Sequence, residues 1–78
     1  MPIIALMDRN TGLIQYLGRA ADAEAALQEL RSDIDSDFPD ATLDDFRAFT
    51  LTRQEADTVA QWIKDGSPSD RVPACLKS

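Results

Sequence analysis

At 78 residues, with 44% hydrophobic and 28% charged content and a net charge of -6, the chain has the composition of one small acidic globular domain. Its eight Lys and Arg fall singly between Arg9 and Lys77, which argues against phosphate-led binding to nucleic acid and against docking on an anionic membrane. The single cysteine, Cys75, cannot close an internal disulfide, no apolar run nears the roughly 18 residues of a membrane span, and Met1 to Asp8 lacks the basic start of a secretion signal, so the expected setting is cytoplasmic.

Ile3 to Met7 reads as a strand apolar on both faces, suited to the centre of a sheet. Asp8-Arg9-Asn10-Thr11-Gly12 is a turn, because Asp and Asn side chains bond nearby backbone and glycine takes positive φ without steric cost. Leu13 to Leu17 resumes extended structure and completes a hairpin, with Gly18-Arg19 as its break. The first helix is expected from about Ala21 to Ile34, capped by Asp22, with Ala23, Ala26, Leu27, Leu30 and Ile34 as its apolar stripe.

Phe46 to Leu51 is the third strand. Thr52-Arg53-Gln54-Glu55 is a capping box opening a second helix, with Leu51 and Ala56 at the positions of a hydrophobic staple. Ala56, Val59, Ala60, Trp62 and Ile63 mark the buried side of that helix, and Gly66 ends it. Residues 1–66 thus form the domain, and 67–78 a C-terminal tail that is either mobile or held by Val72 and Leu76.

The order β-β-α-β-α predicts an α+β fold: a three-stranded antiparallel sheet in order 2-1-3, with both helices packed on one face. The opposite face, carrying Ile4, Leu6, Ile14 and Tyr16, would then be open, a surface for self-association into a homodimer or larger assembly.

The chain offers little to catalysis. It contains no histidine, so a Ser–His or Cys–His pair is ruled out, and one cysteine cannot supply a zinc site. Its three glycines fit turns and a helix stop, not a phosphate-binding loop. The expectation is a non-enzyme without cofactor or resident metal. Calcium is a minor alternative: Asp33, Asp35 and Asp37 have the D-x-D-x-D start of an EF-hand loop, and Asp44 stands at its twelfth position. Phe38 occupies the site of the required glycine, Pro39 follows it, and Asp44 replaces the long bidentate Glu.

The strongest signal is electrostatic. Asp33, Asp35, Asp37, Asp40, Asp44 and Asp45 lie between Arg31 and Arg47 with no basic residue among them. Carboxylates this dense persist where water, a cation or a basic partner screens them. The reading that follows is a protein-binding module whose partner has a basic surface: an inhibitor or regulator of a nucleic-acid-binding protein, of the antitoxin, anti-restriction or anti-CRISPR type. The six aspartates would attract it, with Tyr16 and Phe38 as apolar anchors. Trp62, on a helix stripe, reads as core, and Cys75 as an incidental thiol.

Overall fold

The structure is a computed structural model that describes residues 1–32 and 39–77. Three strands, β1 (Ile3–Asp8), β2 (Ile14–Arg19) and β3 (Phe46–Leu51), form one antiparallel sheet in order β2-β1-β3. Two α-helices accompany it among the described residues, α1 (Ala23–Ser32) and α2 (Arg53–Lys64). The α+β class, the strand order and the helix count all agree with the sequence.

The hairpin closes where Gly12, at φ 73°, donates to the Asp8 carbonyl at 2.8 Å. Leu6 faces Tyr16 while Met7 faces Ile14, so a bulge sits around Gln15. Gly18 does not break β2, contrary to expectation; it pairs with Ile4 inside the ladder. Its missing side chain has a use there, since a Cβ would lie 3.3 Å from the Tyr16 hydroxyl.

Where the helices sit is the main departure from the sequence reading. They do not share a face. Along β1, Ile4 and Leu6 point into a cluster with Ala26 and Leu27 of α1, Ala20, Ala41 and Phe46. Ala5 and Met7 point the other way, into a cluster with Leu51, Ala56, Val59, Trp62 and Leu76. Successive strand residues face opposite sides, so a strand apolar at every position needs a cover on each. The fold has three layers: α1, the sheet, and α2 with the C-terminal segment. Ile4 is 3% exposed and Leu6 0%, Ile14 packs on the α2 side and Tyr16 on the α1 side, so the open face expected for self-association is filled. On the α1 side only the β3 margin, Ala48 and Thr50, is left exposed.

α1 starts as the sequence indicates: the Asp22 carboxylate accepts from the Ala25 amide at 2.8 Å. Ala26 and Leu27 are buried and Ala23 and Leu30 half-buried, whereas Ile34 lies outside the described residues. In α2 the capping box forms in both directions, Glu55 N to Thr52 Oγ1 at 3.1 Å and Thr52 N to Glu55 Oε1 at 2.9 Å. The buried stripe of α2 is Ala56, Val59 and Trp62; Ala60 and Ile63 face solvent. The stripe is rotated because the C-terminal segment covers the Trp62 side.

That segment is tied down after a Schellman stop. Ser67 N donates to Trp62 O and Gly66 N to Ile63 O, both at 3.0 Å, with Gly66 at φ 90° and Ser67 at φ 53°. Trp62 Nε1 then donates to the Pro68 carbonyl at 2.9 Å. Short 3-10 turns at Ser69–Arg71 and Ala74–Leu76 bring Leu76, 2% exposed, into the core. No helix among the described residues is long and apolar enough to cross a membrane.

Candidate acidic docking site

Asp8 of β1 pairs with Phe46 of β3, and this register sets the hairpin turn beside the residues that precede β3. The connection is fastened by Arg9, whose backbone amide donates to Asp45 O at 3.1 Å and whose Nε donates to Phe46 O at 3.2 Å. Asp45 ends a 3-10 turn, Leu43–Asp45, and its Oδ2 accepts from the Thr42 amide at 3.0 Å. A carboxylate three residues after the cap can reach back to the cap residue's free amide, which is why aspartate suits the position. Asp8 plays a like part in the hairpin, its Oδ1 accepting from Asn10 N at 2.7 Å.

The result is a cleft of about 360 Å³ at one end of the molecule, with Asp8, Asp40 and Asp45 around it and Pro39 and Phe46 among its walls. Asp40, Asp44 and Asp45 are exposed, and Leu43, 38% exposed, stands between the second and the first of these in the chain. Carboxylates so placed in water create a joint negative potential felt over about a Debye length, roughly 8 Å at physiological salt. Arg31 does not neutralise it through an ion pair with these groups: its Nε donates to the Pro39 carbonyl at 3.2 Å, tying the end of α1 to the near edge of the cleft. Among the described residues, no group of three carboxylates or thiols is placed to hold a metal ion.

Of the expected binding residues, then, Asp40, Asp44 and Asp45 share this end. Asp33, Asp35, Asp37 and Phe38 lie outside the described residues, and so does the start of the EF-hand-like pattern. Tyr16 belongs elsewhere. Its ring packs on the α1-side core and its hydroxyl donates to the Glu29 carboxylate, a bond that joins β2 to α1. Burial, then the hydrogen bond to Glu29 and its negative charge, push the phenol up to about 12. It serves as an internal fastening between β2 and α1, away from the acidic cleft. Trp62 is core, as expected, at 6% exposure. Cys75 is half-buried against the α2-side core, and burial, followed by the charge of Glu55, pushes its thiol up, away from the reactive thiolate form.

Sequence reasoning missed Asp8, Arg9 and Leu43 at this site. Asp8 and Arg9 read locally as hairpin residues; only the β1–β3 register, a contact between distant parts of the chain, brings them to Asp45. Leu43 could have been found as the one large apolar residue between Asp40 and Asp45. No protein-family model, curated protein or solved structure matches the chain.

Proposed function

We propose that this chain is a small protein-binding module that recognises a basic protein surface through its acidic end. The observation that carries the reading is the convergence of Asp8, Asp40 and Asp45 on one cleft, with Asp44 exposed next to Asp45 in the chain. Basic surfaces in cells belong above all to proteins that bind nucleic acid. Carboxylates held on a compact scaffold can occupy the positions that phosphates would take there, so the module would act as an inhibitor or regulator by occlusion. Antitoxins, anti-restriction proteins and anti-CRISPR proteins exemplify that mode of action.

The two parts of the acidic end would play different roles. Charge speeds encounter and orients the partner, while the exposed Leu43 supplies an apolar contact within the charged rim. Capture from the native host, read by mass spectrometry, tests this. The wild-type chain should retain a basic protein at low salt and release it as salt rises. A variant with Asp40, Asp44 and Asp45 replaced by Asn, and unchanged in far-UV circular dichroism, should retain far less. Equal capture by the two chains, or capture indifferent to salt, would end the proposal.

A further inference from the structure

A second surface, sharing no residue with the acidic end, runs along the outer side of α2. Gln54, Asp57, Thr58, Gln61 and Asp65 recur at spacings of three and four, which sets them on one helical face. The C-terminal segment runs past that face, and between them lies a groove of about 500 Å³. Trp62 contributes to it from α2, and Pro68, Arg71 and Pro73 form the opposing wall. The fixed elements on both sides make this groove preformed. The indole is held by its bond to the Pro68 carbonyl, and Pro73 is buried.

The groove carries two carboxylates on its α2 wall and one guanidinium, that of Arg71, on the other. Asp57 of α2 and Asp65, the residue that caps the helix, stand eight residues apart on the same wall, about 12 Å along the axis and about 80° around it. In an extended chain, residues i and i+4 point to the same side and are separated by about 13 Å. We infer that this groove accepts an extended segment of a partner protein carrying Lys or Arg at positions i and i+4, which Asp57 and Asp65 receive. The segment's apolar stems lie over Pro68 and the small part of Trp62 that the groove leaves open, because long basic side chains cover apolar surface while their heads stay wet. Gln61, whose Nε2 donates to Asp65 Oδ1 at 3.3 Å, steadies the second carboxylate. Arg71, across the groove, is a donor for the carbonyl groups of the segment's backbone. Charge complementarity selects this occupant, and the proposal rests on the reading above only for the sign of the partner's charge.

The test uses the whole chain, labelled with nitrogen-15, and two peptides of one composition: acetyl-Thr-Lys-Thr-Val-Thr-Lys-Thr-amide, with the lysines at i and i+4, and acetyl-Thr-Lys-Lys-Thr-Val-Thr-Thr-amide, with the lysines adjacent. The first should shift the Trp62 indole and Gln61 side-chain amide signals saturably, and bind about fivefold tighter than the second, a difference of about 1 kcal/mol. Replacing Asp57 and Asp65 together by Asn should abolish the preference between the peptides; both side chains are exposed, so the fold should survive, as an unchanged melting midpoint would verify. An equal response to the two peptides, or unmoved Trp62 and Gln61 signals, overturns the groove. Shifts confined to Asn10 and the 40–45 stretch would likewise overturn it while leaving the acidic-end reading standing.

Discussion

The two faces of the sheet are built by different means. The α2 side is assembled from large residues, Leu51, Val59, Trp62 and Leu76, and its helix is closed at both ends by local signals, a reciprocal capping box and a Schellman stop. The α1 side is leaner. Among the described residues, alanines at 20, 26 and 41 are three of the seven members of its buried cluster. Polar fastenings also join distant segments on this side: Tyr16 to Glu29, Arg31 to Pro39, Arg9 to Asp45 and Phe46. Of these, the Tyr16–Glu29 bond joins two ionisable groups and is the fastening that responds to pH; the bonds of Arg9 and Arg31 end on backbone carbonyl groups. The acidic end is held to this side by Arg9 and Arg31, through the carbonyl groups of Asp45, Phe46 and Pro39.

That contrast can be broken by mutation. Trp62→Ala should cost about 3–5 kcal/mol, because a large buried ring and its bond to Pro68 are lost together. Leu27→Ala, in the α1-side cluster, should cost about 2 kcal/mol, the low end for such a change, since its alanine neighbours leave fewer contacts to forfeit. Urea melts of both variants decide it; a larger loss for Leu27→Ala would reverse the ranking of the faces. Thr52→Ala removes one half of the capping box and should cost about 1 kcal/mol by the same measurement.

Tyr16→Phe is smaller still in neutral solution, at most about 1 kcal/mol for a half-exposed hydrogen bond. Its signature is in alkali. The phenol is neutral in the folded state up to about 12 but titrates at 10.0 when unfolded, so the unfolded chain gives up its proton first. The wild-type chain should therefore lose stability as pH rises between those two values, and the Phe variant should lose less over the same window. Parallel decline of the two chains would remove Tyr16 as the cause. Least of all, Cys75 should react with iodoacetamide more slowly than glutathione at mildly alkaline pH, its thiol being pushed up by burial and Glu55; a rate equal to or above that of glutathione would contradict the environment described.

Much of this was readable from the chain, and the failures have a common origin. The third strand, both caps of α2 and the Asp22 cap are signals carried by a few consecutive residues, and they appear where those residues stand. Ile3 to Met7 is apolar throughout, and that too was visible; the missing step was that two apolar faces require two covers, which puts the helices on opposite sides. The rotation of the α2 stripe away from Ala60 and Ile63 depends on the C-terminal segment lying over Trp62, a long-range packing choice. Tyr16 looked like an interface residue because nothing near it in sequence announces Glu29, 13 positions on. Half of the candidate site was legible as charge alone, and the other half, Asp8 and Arg9, waited on strand register.

Because β1 is flanked by a strand on each edge and covered above and below, its amides are enclosed on every side. Deuterium can reach Ile4, Ala5 and Leu6 only when the whole fold opens, whereas the turns at either end admit it through local fluctuation. The slowest-labelling amides of this protein are thus a built-in gauge of its global free energy, and a ligand that tightens the fold would register there wherever on the surface it landed.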